Sequence, residues 1–463
     1  MRLGILPAGF TLLCFFLGQA ATGQQPKALP LPDDRFKADI LLVVAHPDDE
    51  GAATPYLARA MDEGKRVAVV FGTRGSNGGN EYGAEQARAM GAIREIEARK
   101  ALAIFGINNV WFLDGKDTAG QNVLQSLANW GHGEALEQLV RLVRLTRPEV
   151  VMTFLPGTFI GEDHGDHQAS GVLATEAFDL AGDCTVFPEQ VTGPTKRLEA
   201  FFENLRPWQP KKIYYFPDAD REDIFSGMGP AYPVKEISKS SKKAYWRMAL
   251  DSFLVHQTQA KHYSDSIAKM SDAQIEAMAT SSGWGEAQHF VLGKSLVGGQ
   301  ATGDIFASIP PDAIAFSPLK TESRPPRPEL AVELAGPWGF YADFRRAHAL
   351  THLPHPEPPE IALQGGTMLL IPLWLRNGTA TSQDITLTVD LPSGWTVESG
   401  DGGFAVAAKQ TAAARIEVNL PAFAESASKK TEAQEVTVHA ASDGKTIGTV
   451  KLRVELRKRA LPE

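Results

Sequence analysis

From Ala38 onward, short apolar runs alternate with longer helix-patterned stretches, and few folds accept that order. Ile40 to Val44 contains no polar residue, as expected of a strand buried on both faces of a parallel sheet. Further strands are expected at Arg66 to Phe71, Val110 to Leu113, Val150 to Phe154 and Lys212 to Phe216. Helices are expected between them, at about Ala52 to Met61, Glu85 to Phe105, Glu134 to Thr146, Gln168 to Leu180 and Lys242 to Gln257. Such alternation implies an α/β fold, a Rossmann-like parallel sheet with helices on both faces. Catalytic residues of such sheets sit beyond the carboxyl ends of the strands.

After about Ile309 the pattern changes. Prolines cluster from Pro310 to Pro328 and again from Pro354 to Pro359, as in a linker or wrapping segment. Beyond them the apolar period becomes two: Ile385, Leu387, Val389 and Leu391, then Ile416, Val418 and Leu420, then Val450, Leu452, Val454 and Leu456. Short alternating strands with Gly, Asn and Asp turns indicate a C-terminal antiparallel β-sandwich. It carries no cluster of chemical side chains. The expected division is 1–23, 24–309, 310–359 and 360–463.

The first of these segments reads as a secretory signal peptide. Arg2 precedes an apolar stretch from Leu3 to Leu17, then small residues at Gly18, Ala20, Ala21 and Gly23. The run is shorter than the ~20 residues of a membrane span, although a retained N-terminal anchor is the alternative. The expectation is an exported protein, periplasmic or extracellular, with no membrane span once the segment is removed. Its loss takes Cys14 and leaves Cys184 alone, so no internal disulfide can form. The 463 residues carry a formal charge of −9 and no long basic run, which argues against nucleic acid as a partner.

Two stretches carry chemistry. Ala45-His46-Pro47-Asp48-Asp49-Glu50 lies where the first buried strand meets the first helix. His46 and Asp49 can reach one point above the sheet, and Pro47 restricts the turn. An imidazole with a carboxylate suits a borderline cation such as Zn²⁺. The bland reading is a turn in which Asp48 or Asp49 caps the helix. His164-Gly165-Asp166-His167 follows the fourth strand, at the same end of the same sheet. Its bland reading is a solvated acidic loop, since Glu162 and Asp163 adjoin it. A set of His46, Asp49 and His167 holding one Zn²⁺ per chain leaves a fourth position for water. Asp48 is then the expected base, and His164, if protonated, the acid and oxyanion stabiliser. Asp166 is expected to orient His164.

These two stretches together resemble the zinc-dependent PIG-L (LmbE-like) N-acetylglucosaminyl deacetylases, over about Ile40 to Gln259. Thr73-Arg74-Gly75, Arg94-Glu95-Ile96-Glu97 and Phe112-Leu113 with Asp117 resemble supporting parts of that family. His256-Gln257-Thr258-Gln259 resembles its late His-x-Ser-Gln motif, with Thr258 in place of serine. The resemblance implies the same metal, base and acid roles, and that Arg94 and Asp117 contact sugar hydroxyls. Gly165 stands where the family usually has proline, which is expected to loosen that turn. The sandwich, with Leu391-Pro392-Ser393-Gly394-Trp395, resembles NEW3 domains appended to secreted glycosidases.

The implied activity is hydrolysis of an N-acetyl group from an amino-sugar or glycan substrate. Two other readings remain. A non-haem Fe(II) oxygenase also uses two His and one carboxylate, but on antiparallel strands with His-x-Asp spacing. A non-catalytic exported carbohydrate-binding protein on a deacetylase scaffold is the other; retention of Asp48 and of every expected ligand argues against it. Bland alternatives apply to single residues as well. Arg94 and Glu97 form an i,i+3 pair on a helix, Asp117 suits a turn, and the Gly-rich loop lacks the Lys-Ser/Thr of a phosphate cradle. Trp395 reads as core packing, and Asn377-Gly378 as a hairpin turn rather than a glycosylation acceptor.

Overall fold

A computed structural model describes residues 32–158, 164–192, 205–216, 222–422 and 432–458. The expected signal peptide at 1–23 lies outside the described residues.

The N-terminal half contains, in chain order, β1 (Ile40–Val44), α1 (Thr54–Asp62), β2 (Val67–Phe71), α2 (Ala87–Ala103), β3 (Asn109–Phe112), α3 (Val123–Trp130), α4 (His132–Thr146), β4 (Val150–Phe154) and α5 (Gly165–Leu180). It continues through β5 (Lys212–Phe216), β6 (Ala231–Pro233), α6 (Tyr245–Phe253), α7 (Gln257–Ile267), α8 (Asp272–Met278), β7 (Ala287–His289) and β8 (Val291–Ser295). The main sheet runs β3-β2-β1-β4-β5-β8. All its pairs are parallel except β5 with β8. Strand order reverses between β1 and β4, so a crevice opens there at the carboxyl ends. Both chemical stretches leave from those two strands.

Every residue of β1 is buried, and its side chains alternate between two cores. Leu41 and Val43 pack with Val172 and Leu173 of α5, while Ile40, Leu42 and Val44 pack with Tyr56 and Leu57 of α1. Each such side chain contributes roughly 1.5–3 kcal/mol when fully buried. That double burial is why the run lacks polar residues.

Three features depart from the sequence expectation. Helix α3 occupies a stretch for which no element was expected; Asn122 caps it by accepting from the Leu124 N–H, and left-handed Gly131 ends it. The helix expected at Lys242 to Gln257 is shorter, α6 alone, and a further helix, α7, follows after a turn at His256. The segment expected as linker or wrapping, 310–359, contains a strand β9 (Leu330–Leu334) and a helix α9 (Gly336–Ala347). β9 belongs to the sandwich, whereas Tyr341 and Phe344 of α9 join the buried cluster around α5.

The sandwich adds β10 (Glu360–Gln364), β11 (Met368–Asn377), β12 (Gln383–Asp390), β13 (Thr396–Ser399), β14 (Gly402–Val406), β15 (Thr411–Asn419), β16 (Gln434–Ser442) and β17 (Lys445–Arg457). Its sheets run β10-β17-β16-β12-β14 and β13-β15-β11-β9. Pairing is antiparallel except for β10 with β17. Trp395 sits in the sandwich core. Asn377 is buried too, its amide donating to Thr381 O and Val406 O, which leaves no room for a glycan. Cys184 is a free, exposed thiol.

Candidate active site

The end of β1 wraps around one carboxylate. The N–H groups of Ala45 and His46 both donate to Asp49 Oδ2, at 3.1 and 2.7 Å. The same oxygen lies 3.3 Å from His46 Nδ1, and Oδ1 lies 3.1 Å from His167 Nε2. A single carboxylate thus gathers two imidazoles from opposite sides of the β1/β4 crevice. His167 is held from behind, because Phe154, the last residue of β4, stacks on its ring at 4.3 Å and 2°. The sequence placed His167 ahead of the helix; α5 in fact begins at Gly165, so its first turn carries this ring.

Asp48 departs from ordinary backbone, with φ of 112°. Such strain persists only where neighbours over-determine it. Here its N–H donates to Glu50 Oε2 at 2.8 Å, and Arg94 Nη2 reaches its Oδ1 at 3.0 Å. Arg94 also donates to Pro47 O and to Gly75 O. Glu50 is itself pinned by His256 Nε2 at 2.6 Å, and both residues are buried. Glu97 does not pair with Arg94; it accepts the N–H and hydroxyl of Thr258 at 3.0 and 2.6 Å. The late motif therefore braces the first one through Glu50 and α2. Sequence reasoning quoted that motif but missed Glu50, and it gave Glu97 the wrong partner.

The second stretch differs from expectation in one respect. The Asp166 carboxylate does not face His164: Oδ2 accepts from the Thr118 N–H at 2.8 Å and lies 3.2 Å from His46 Nε2. What meets His164 is the Asp166 backbone N–H, 3.3 Å from Nδ1. An accepting Nδ1 leaves the proton on Nε2, so His164 presents an N–H donor. Gly165 does not loosen this turn. Its N–H donates to Gly120 O at 2.8 Å, and a Cβ there would meet Ser126 Oγ at 2.7 Å and Asn122 backbone at 3.1 Å. Helix α3, absent from the sequence reading, is what requires glycine.

Burial and crowding set the charges. Burial opposes the imidazolium of His46, but Asp49 and Asp166 outweigh it and hold its pKa at about 10. Burial and the neighbouring charges of His46 and His167 push His164 down to about 4. Burial also raises Asp48, against the pull of Arg94. Asp49 is held well below the ordinary carboxylate range: burial would raise it, and His167 and His46 overcome that. Ring nitrogens of His46, His164 and His167 lie within 4.8 Å of one another, as do donor atoms of His46, Asp117 and Asp166. This mixture of nitrogen and carboxylate donors fits a borderline divalent cation.

All the expected site residues except Asp166 line one cleft of about 390 Å³, joined by Asn77, Phe253 and Gln259. Asp117 Oδ2 accepts from the Asn77 N–H at 2.7 Å, pinning the Gly-rich loop, while its buried Oδ1 has no hydrogen-bond partner among the described residues.

The family model described as GlcNAc-PI de-N-acetylase (PIG-L) matches residues 41–178. A 1D-myo-inositol 2-acetamido-2-deoxy-alpha-D-glucopyranoside deacetylase of Streptomyces avermitilis is 31% identical over 231 residues, which are 46% of this chain and 71% of that protein. The chain belongs to the PIG-L family. By class it is an N-deacetylase, a hydrolase of amide bonds. The Thermobifida fusca deacetylase of the same name is 27% identical over 48% of this PIG-L chain and 82% of its own length. An N,N'-diacetylchitobiose deacetylase structure from Pyrococcus horikoshii aligns with a TM-score of 0.39 at 17% identity, over 57% of this chain and 87% of that one. A second family model, NPCBM-associated, NEW3 domain of alpha-galactosidase, matches residues 374–443. No helix among the described residues is long and apolar enough to cross a membrane.

Proposed function

We propose that this protein removes an N-acetyl group from an amino sugar in the cleft above β1 and β4. The observation that carries the reading is the Asp49 carboxylate shared between His46 and His167, with Asp48 beside it in the same cleft. His46, Asp49 and His167 are the residues that would hold one zinc ion. When bound, zinc supplies Lewis-acid polarisation and a water acidic enough to attack an amide.

The chain's own residues do the rest. Asp48 takes the proton of the attacking water; burial makes it a better base than an exposed carboxylate, and Arg94 fixes its orientation. His164 donates its Nε2–H to the oxygen that gains charge, a role that suits a neutral imidazole. Asp166 holds His46, and so acts on the metal set rather than on His164. Asp117, which lines the cleft and pins the Gly-rich loop, is the carboxylate placed to meet a sugar hydroxyl. Arg94, already committed to Asp48, Pro47 and Gly75, positions the base more than it binds sugar. The apolar N-terminal segment and the NEW3-type sandwich support export, with a glycan outside the cytoplasm as the substrate.

The test is metal content and amine release on residues 24–463, offered N-acetylglucosamine and chitooligosaccharides. One zinc per chain is expected, with amine release abolished by a chelator and restored by zinc. A chain that takes up no metal and releases no amine would overturn the reading.

A further inference from the structure

His164 also lines a second cavity of about 610 Å³, between the catalytic half and the sandwich. One wall is the turn from Gly120 to Asn122 with Leu124 of α3; the other is β10 and β11, including Ile361, Met368 and Leu370. Leu124, Met368 and Leu370 are 38%, 43% and 46% exposed, so three large apolar side chains from two domains line one open cavity. Single exposed apolar residues are ordinary. Three converging beside a reaction site are not scatter, and the size and apolar character are those of a small-molecule site. Met368 and Leu370 share a face of β11 by its period of two, and Arg415 of β15, paired with Pro372, supplies a charge.

The walls are held in place. The Tyr341 hydroxyl of α9 donates to Gln168 Oε1, next to His167. His348 Nδ1 lies 2.7 Å from Asp179 Oδ2 of α5, which Lys294 also contacts. Tyr341 and Phe344 are buried with Val172 and Leu173. These contacts tie α9, whose Trp338 lines the cavity, to the catalytic half.

We propose that this interdomain cavity is a subsite for a saturated apolar chain carried by the substrate, with the sandwich as its outer wall. The proposal rests on the deacetylase reading for the chemistry next door. Sugar hydroxyls need hydrogen-bond partners; Gln121, Gln364, Thr367 and Arg415 supply a few, but Leu124, Ile361, Met368 and Leu370 make the lining mainly apolar, which suits an alkyl chain better. The chain is attached either through the acyl group or through the anomeric oxygen, and the two sources are separable.

The experiment uses the full chain and two homologous series: alkyl N-acetylglucosaminides from methyl to octyl, and N-acylglucosamines from acetyl to octanoyl. In one series kcat/KM should rise roughly two- to fourfold per methylene over the first several carbons. Leu370→Glu should bring the octyl-to-methyl, or octanoyl-to-acetyl, ratio back toward one. The series that responds names the source. Calorimetry in the Asp48→Ala background provides a readout without turnover: the long member of that series should bind more tightly than the short one, and Leu370→Glu should remove the difference. Turnover of the short substrates with flat chain-length profiles and equal affinities would overturn the subsite alone. Chain-length-dependent binding without any amine release would retain the subsite and overturn the deacetylase reading. A kcat/KM that climbs with sugar units of a chitooligosaccharide, and not with methylenes, would also overturn the proposal.

Discussion

Asp48 is the base of the proposed mechanism, and its backbone is strained where it enters the cleft. A φ of 112° in a non-glycine residue is sustained by Glu50 and Arg94, which grip it from two sides. Asp48→Ala should keep the metal and lower turnover by roughly 10²–10⁴-fold, since only the base is lost. His167→Ala should instead lower bound metal. Metal analysis beside steady-state amine release separates the two, and the reverse pattern would sink the role assignment. His256 gives a pH signature. Burial disfavours its charged form, but the charge of Glu50 and their hydrogen bond outweigh that and raise its pKa above 6.5. The folded state then binds this proton more tightly than the unfolded chain does. The pair's contribution is full below about pH 6.5 and is lost as pH rises through the folded-state value. In thermal melts, His256→Gln should therefore cost most in acid and least in alkali; a pH-independent loss would contradict this. All the metal, base and acid candidates were visible as residues in two short stretches. The Glu50–His256 contact was not, because it spans 206 positions and depends on how α6 meets α7.

At the scale of elements, the site follows from a crossover. β1 and β4 are neighbours although β2 and β3 come between them in sequence, and their carboxyl ends carry the two motifs. Helix α5 must lie close enough to β4 for His167 to stack on Phe154, and Gly171 permits it. A Cβ at that position would fall 2.3 Å from the Phe154 carbonyl oxygen. Gly171→Ala should thus destabilise the chain by about 1–3 kcal/mol, read as a lowered urea midpoint, and should weaken metal uptake as the helix is pushed away. The strands were legible because double burial leaves unbroken apolar runs. Helix α3 was not, although Val123, Leu127 and Trp130 recur at helical spacing and are buried. Its eight residues are short, and the glycines and asparagines that bound it also suit a loop.

At the scale of the whole molecule, the segment between the domains belongs to both. β9 pairs with β11 from Leu334 opposite Leu373 to Leu330 opposite Asn377, while α9 packs on the catalytic half. Cutting the chain after Pro359 would leave β9 as an unpaired edge and uncover Trp338, which is otherwise buried with the sandwich core. Residues 24–359 should consequently melt at lower temperature and scatter more light than the full chain. Equal melting would mean that the sandwich is an independent appendage. Prolines had marked this stretch as distinct, but composition does not say which neighbour a strand will join.

What the sequence by itself determined was local: the apolar period, hence sheet and sandwich, and the two clusters of His and Asp at strand ends, hence the place of the candidate site. These are readable because each depends on residues a few positions apart. Tertiary structure alone decided that Asp166 serves His46, that His256 steadies Asp48 through Glu50, and that the sandwich completes a cavity beside His164. Each of these joins segments distant in the chain, and a contact of that kind is set by the packing of whole elements, for which no short stretch of sequence carries the instruction.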